Sequence, residues 1–379
     1  MRYPLTSNSA ICPEAREAGV FVLRSGRLTM GAQVEAFEQE FAAWIGAKHA
    51  VMVNSGSSAN LIAVEAMLWS GRWAKGDEID VPALAWSTTV FPLVQLGLVP
   101  KFFDVDPETL AMKTPTAHHR QMPIHVLGRA AVADCGIEDC CESFGAHFAD
   151  GSHVGTRSTI GTFSHFYSHQ LSCIEGGTAI TNDDGIADDL RSIRAHGWSR
   201  NRKDCPGESK DFRFVTTGYN VRPMEVQAAI AREQLKRADR DLRSRDQAAA
   251  TIIEAVSHIP WLEVIGASAL ASHLATRRER HHSWMNVPIR LRDDAPLTCA
   301  EVRAKLEADD VETRPILAGN LLAHPVMNRI THGFPVECPV ADRIMRDGFM
   351  IGCHHDGLEH AVNAFHRLMR ATKRMRKSA

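Results

Sequence analysis

Short apolar runs alternate with stretches of helical periodicity over the first two thirds of the chain, which predicts strands of one sheet covered by helices. Ala50-Val51-Met52-Val53 predicts a buried strand. It runs into Asn54-Ser55-Gly56-Ser57-Ser58, after which Ala59, Leu61, Ile62, Ala63 and Ala66 fall at helical spacing. Further strands are expected at Glu78 to Val81, Lys101 to Val105, Cys135 to Asp139 and Thr178 to Thr181. From Pro223 a long, charged, alanine-rich helical stretch is predicted as far as Ile259, where Pro260 ends it, and Trp284 to Ile289 reads as a strand beyond. This pattern predicts a large domain over residues 1–235, then a long linking helix with a smaller α+β domain over residues 236–379.

A chain of 379 residues is long for one compact unit, at ~150 residues per domain, and can bury a full core. Hydrophobic residues at 44%, charged residues at 23% and a net charge of -2 are ordinary for a soluble enzyme. They give no electrostatic reason to bind nucleic acid or an anionic membrane. The opening Met1-Arg2-Tyr3-Pro4-Leu5 lacks the features of a secretion signal and no apolar run suits a bilayer, so a cytoplasmic protein with a small soluble ligand is expected.

Nine cysteines are an odd number without a Cys-x-x-Cys pair, which favours free thiols over a disulfide framework or zinc knuckle. The adjacent pairs His118-His119, His281-His282 and His354-His355 point apart in helix or strand and do not match metal-ligand spacing, so no metal site is expected. Arg277 to Arg280 and the basic stretch from Lys373 to Lys377 read as solvated.

Four segments carry candidate chemistry. Ser55-Gly56-Ser57-Ser58-Ala59 lies between a strand and a helix, where small residues and the helix dipole let a phosphate approach backbone amides; a plain helix cap is the bland alternative. Ala85-Trp86-Ser87-Thr88-Thr89 follows a strand, and its indole could lie flat on a heteroaromatic ring. Ile137-Glu138-Asp139-Cys140-Cys141-Glu142 sets acidic residues at a strand end, the edge where open α/β sheets bind ligands. A carboxylate there can keep a pyridine nitrogen protonated. The fourth segment, Thr162 to Gly177, contains Phe166-Tyr167-Ser168-His169 and Glu175-Gly176-Gly177.

The fourth segment resembles the DegT/DnrJ/EryC1/StrS sugar aminotransferases, a family of fold-type-I pyridoxal-phosphate enzymes. Their pattern has serine, then the lysine that carries the cofactor, then Glu-Gly-Gly. That lysine stands six residues before the glutamate, where this chain has His169, and no lysine occurs between Lys113 and Lys203. The resemblance extends to Tyr3-Pro4-Leu5, Thr29-Met30-Gly31, Ile193 to Asn201, Tyr219-Asn220-Val221-Arg222-Pro223 and Arg314-Pro315-Ile316.

What the resemblance implies is an aspartate-aminotransferase-like α/β fold, with a mixed, mostly parallel sheet in the large domain and a smaller α+β C-terminal domain. Gly56, Ser57, Ser58 and Ser164 would hold the phosphate of pyridoxal 5'-phosphate or pyridoxamine 5'-phosphate. Trp86 would stack on the ring, Asp139 would pair with its nitrogen and Glu142 would lie beside it. Asn220 would reach the partner subunit's phosphate, implying a homodimer with shared sites, while His196, Arg200 and Arg314 would face the amino donor or the sugar.

Within the family, histidine for lysine marks 3-dehydratases of nucleotide-linked 4-keto-6-deoxy sugars. Imidazole can move a proton near neutrality but cannot carry the aldehyde covalently. The expected activity is therefore loss of the C3 hydroxyl, with His169 as base, Ser168 beside it, L-glutamate as donor and a GDP-linked 4-keto-6-deoxymannose as first substrate. Its place would be 3,6-dideoxysugar synthesis for O-antigen lipopolysaccharide. Alternatives are a family member with another 4-keto sugar, a dehydratase with an iron-sulphur cluster, which lacks the closely spaced cysteines it needs, and a non-catalytic binding protein.

The sequence also departs from the family. The stretch from Asp106 to Asp139 is short, predicting a lost or reduced crossover helix. Gln170 stands where a second histidine is expected, and Asp356-Gly357 where a polar segment is expected.

Overall fold

The computed structural model describes residues 2–114, 116–131, 134–202, 204, 212–268, 282–330 and 336–378. Arg277 to Arg280 and His281, named above, lie outside them, as do Pro115 and one of the nine cysteines, Cys205. The strands are β1 (His49–Val53), β2 (Glu78–Pro82), β3 (Val99–Phe103), β4 (Ile137–Asp139), β5 (Ile160–Ser164), β6 (Gly177–Thr181), β7 (Leu262–Val264), β8 (Val287–Leu291), β9 (Thr313–Arg314) and β10 (Gly348–Ile351).

Side-chain alternation along β1 shows how the large sheet is buried. Val51 and Val53 face one apolar cluster, with Ile62 and Val64 of the helix Gly56–Trp69, while Ala50 and Met52 face another, with Phe37 and Phe41. Two covered faces explain why these strands read as continuous apolar runs.

The order β1-β6-β5-β4 has β6 antiparallel to both neighbours and β4 parallel to β5, while β2 and β3 form a parallel pair. The segment from Arg120 to His125 joins the two sets. The Met122 amide donates to Asp80 O at 2.9 Å on one side, and the amides of Ile137 and Asp139 donate to Gln121 O and Pro123 O at 3.2 and 3.0 Å on the other. Pro123 has no N–H to give, so the segment completes a mixed sheet through isolated bridges rather than a regular strand. No α-helix is found among the described residues between β3 and β4, where only the short turn Val126–Gly128 is helical. Among the described residues, therefore, the chain passes from β3 to β4 without a crossover helix.

The predicted helical stretch from Pro223 is two helices, Glu225–Lys236 and Ala238–Ser257, parted at Arg237 (φ -108°, ψ 3°). The first puts Ile230 and Leu235 against Phe37 and Phe41, whereas the second puts Ile252 and Val256 into a different core with Trp261, Phe349 and Phe365. The first turns of the second helix still pack on the first core through Ala238 and Leu242, so the chain passes between the cores within that helix. Glu225 also ties the chain back to its start, accepting the amides of Gly31, Gln33 and Val34, each at 2.9 Å, and so capping the helix Ala32–Ile45.

The antiparallel order β7-β8-β10-β9 packs on this last core. Tyr3 is fully buried there, its hydroxyl donating to Gly352 O at 3.0 Å. The basic residues from Lys373 continue the helix Leu358–Ser378 rather than forming a loose tail. Among the described residues, no helix is long and apolar enough to cross a membrane, and the eight cysteines are free thiols.

Candidate active site

Asp139 ends β4 and is 3% exposed, which would be costly for a carboxylate without partners. Its Oδ2 accepts from Asn60 Nδ2 at 2.8 Å and Thr89 Oγ1 at 2.7 Å, and its Oδ1 accepts the Cys141 amide at 3.0 Å. Thr162 Oγ1 donates to Asn60 Oδ1 at 2.6 Å, which turns the Asn60 amide nitrogen toward Asp139. Behind Asp139, His125 Nδ1 accepts the Ala131 amide at 2.7 Å, so its Nε2 donates to the buried Glu138 at 2.9 Å. That pair fastens the Arg120–His125 segment to β4 and leaves Asp139 as the acid facing open space.

The helix Gly56–Trp69 begins beside Asp139. Ser55 caps it, accepting the Ser58 amide at 3.1 Å. A Cβ on Gly56 would lie 2.5 Å from Ser164 Cβ, and one on Gly177 would lie 2.3 Å from Ser55 O. Glycine at both places lets the helix start, the end of β5 and the start of β6 close into one rim. Gly56, Ser57 and Ser164 line it, whereas Ser58 turns away and donates to Asn54 Oδ1 at 2.6 Å.

Beyond Ser164 the chain forms the turn that carries His169. His165 is pinned beneath, its Nε2 at 2.8 Å from Thr178 Oγ1, and burial pushes its imidazole down to about 3. His169 is half-buried; burial and then the positive charge of Arg245 push it down to about 4. Ser168 Oγ is 3.5 Å from His169 Nδ1. Gln170 is buried and donates to Glu142 O at 2.6 Å and Ser283 Oγ at 3.1 Å.

These groups meet around a cavity of about 870 Å³, lined by Gly56, Ser57, Asn60, Trp86, Thr89, Asp139, Glu142, Ser164, Ser168, His169 and Arg314 among others. Among the described residues no lysine lines it. Trp86 is 54% exposed, its indole open to this space. Burial raises Glu142 to about 8, against the Leu127 amide that donates to it at 2.8 Å and with help from the Asp139 charge. Arg314 meets Glu312 at 3.0 Å. Asp356 accepts from the Ser9 hydroxyl at 2.9 Å and so steadies the N-terminal stretch whose Pro4, Leu5 and Thr6 close one wall.

Three of the expected site residues lie elsewhere in the single chain. His196 and Asn220 are exposed, His196 with a left-handed φ of 65°, and Arg200 lies over the Trp198 ring at 5.1 Å. None lines the cavity. Asn60, Thr89 and Arg245 were not singled out from the sequence. Asn60 had a signal, as the one amide in an otherwise apolar helix face; Arg245 is one charge among many on its helix and had none.

The sequence profile of the DegT/DnrJ/EryC1/StrS aminotransferase family matches residues 11–125 and 135–365. A GDP-4-keto-6-deoxy-D-mannose 3-dehydratase of Yersinia pseudotuberculosis is 32% identical, over 92% of this chain and 93% of that protein. The Escherichia coli GDP-4-keto-6-deoxy-D-mannose-3-dehydratase with bound hydrated PLP shares the fold with a TM-score of 0.86 at 32% identity, covering 97% of this chain and 99% of that one. A GDP-4-keto-6-deoxymannose-3-dehydratase with a trapped PLP-glutamate geminal diamine gives 0.84 at 32%, covering 96% and 100%. The fold-type-I α/β architecture expected from the sequence is the one observed.

Proposed function

We propose that this chain, which belongs to the DegT/DnrJ/EryC1/StrS aminotransferase family, removes the C3 hydroxyl of a nucleotide-linked 4-keto-6-deoxyhexose, with pyridoxal or pyridoxamine 5'-phosphate and L-glutamate. GDP-4-keto-6-deoxymannose is the first candidate substrate, because relatives that act on it match across nearly the whole chain. The single observation that carries the reading is His169 in the wall of a cavity that also holds Asp139 and, among the described residues, is lined by no lysine.

The residues present fit the cofactor. The rim at Gly56 is too tight for a side chain yet opens the first turn of a helix, where amides and dipole favour a phosphate. When bound, the cofactor supplies an amine for the sugar's keto carbon and a ring that takes up electrons as a proton departs. Asp139, fixed by Asn60 and Thr89, holds the proton on the ring nitrogen, and Trp86 offers the aromatic face. Gly56, Ser57, Ser58 and Ser164 serve the phosphate end, Ser58 by holding the helix start through Asn54.

His169 is neutral at pH 7, so it can take the proton at C4′ of the cofactor and deliver one to the departing C3 oxygen. Ser168 orients it. Glu142, protonated near neutrality, can donate a hydrogen bond inside the cavity. Arg314 suits a carboxylate or phosphate. His196, Arg200 and Asn220, exposed in one chain, would serve in a homodimer whose partner completes each site. The core fed by the helix Ala238–Ser257 supports a division near residue 235, and the setting would be cytoplasmic dideoxysugar synthesis for lipopolysaccharide O-antigen.

The test is incubation with pyridoxal phosphate, glutamate and a panel of GDP-, CDP-, dTDP- and UDP-4-keto-6-deoxy sugars, read by product mass. A GDP product lighter by one oxygen, with ammonia and 2-oxoglutarate released, is expected. A 4-amino sugar as main product would refute the reading.

A further inference from the structure

Arg245 sits on the helix Ala238–Ser257, away from every segment of recognisable chemistry. Its Nη1 donates to the carbonyls of Trp284, Met285 and Cys353 at 3.2, 2.8 and 3.3 Å, and its Nη2 reaches the carbonyl of His169 at 3.4 Å. The Cys353 thiol donates back to Arg245 O at 3.3 Å. Among the described residues no carboxylate pairs with this guanidinium, and Asp241, one turn earlier, is engaged by Arg237 at 2.8 Å. A cation surrounded by carbonyls without a counter-ion is costly, so the arrangement needs a reason beyond filling space. The planar five-donor fork of arginine is the side chain that can reach several carbonyls at once.

We propose that Arg245 is the positioning residue of His169, clamping the turn that carries the imidazole to the entry of β8 and the loop after β10. The first segment borders the cavity through Met285 and Asn286, and the second follows β10, from which Met350 lines it. The clamp therefore sets how far His169 stands from the opposite wall.

A fixed cation next to the turn also disfavours a second positive charge on the ring, which keeps His169 in the form that accepts a proton. The other charged or titratable groups about the cavity are Asp139, Cys141, Glu142, Glu175, Glu312 and Arg314, with His165 behind the turn. Of these neighbours, Arg245 is the charge that acts on His169 together with burial.

The inference rests on the reading of His169 as base, but its test needs neither substrate nor turnover. Ligand-free protein with labelled histidine is titrated by NMR, the His169 signals being assigned by their loss in His169→Gln. Arg245→Met is expected to raise the pH at which His169 protonates, burial still holding it below the usual ~6.5, while the near-ultraviolet circular dichroism is kept. Arg245→Lys, which keeps the charge and loses the fork, is expected to hold the titration low while moving the His169 ring resonances. An unchanged titration in Arg245→Met would overturn the proposal. Should that variant fail to fold, unmoved His169 resonances in Arg245→Lys would overturn it equally. Full turnover in His169→Ala would instead remove the base reading and leave the clamp standing.

Discussion

Asn60 and Asp139, distant in sequence, meet through a 2.8 Å hydrogen bond in which the amide nitrogen can only donate and the carboxylate only accept. With Thr89 on the same oxygen, Asn60 holds the Asp139 carboxylate aimed at the cavity. Asn60→Ala is therefore expected to weaken pyridoxal phosphate binding about tenfold, since a hydrogen bond to a charged group is worth ~1.5–3 kcal/mol. An absorbance titration measures this, and unchanged affinity would show that Asp139 does not depend on Asn60.

Gly56→Ala places a methyl group 2.5 Å from Ser164 Cβ. The helix start must then move from the end of β5, with an expected stability loss of about 1–3 kcal/mol for overpacking. Loss of phosphate binding should accompany it, measured as a melting temperature that pyridoxal phosphate no longer raises. A variant that melts and binds like wild type would mean the rim is not the phosphate seat.

Acidification should destabilise the fold. His165 and His169 protonate in the folded chain at about 3 and 4, and His282 is likewise pushed well below its usual value by burial and then by Arg129. Depressed histidines bind protons in the unfolded chain first, so stability is present above pH ~6.5 and is lost as pH falls from there toward the folded values. Melting curves from pH 7 to pH 4 should show a falling midpoint, and a midpoint that rises on acidification would contradict the burial of these neutral rings.

If Asn220 completes the partner's site, two inactive proteins should help each other. Mixing Asn220→Ala with His169→Ala and allowing exchange gives heterodimers in which one site keeps both residues. Activity above the sum of the separate proteins is expected. No gain, with subunit exchange shown by mass, would place Asn220 outside the shared site.

Much of this site was legible because its chemistry lies on strand ends and in tight turns. Gly56 and Gly177 are dictated by backbone contacts closer than any side chain allows, and Asp139 by its place at the end of β4. The strand Ile160–Ser164 was missed because Gly161, Thr162 and Ser164 interrupt its apolar run, although Ser164 itself was singled out by motif. The join at Pro123 was hidden because a proline breaks a strand pattern even where neighbouring amides keep the ladder. The break at Arg237 was illegible because apolar residues keep helical spacing across it, with Ile230, Leu235, Ala238 and Leu242 all in one core. Arg245 acts through backbone carbonyls, which leave no trace in side-chain pattern.

The central claim is that His169 stands where a cofactor-bearing lysine would, in a site otherwise built for the cofactor. Borohydride reduction of protein loaded with pyridoxal phosphate, followed by peptide mapping, tests it most directly. The account predicts no covalent adduct on wild type and an adduct at residue 169 in His169→Lys. A wild-type adduct on a specific lysine elsewhere in the chain would contradict it.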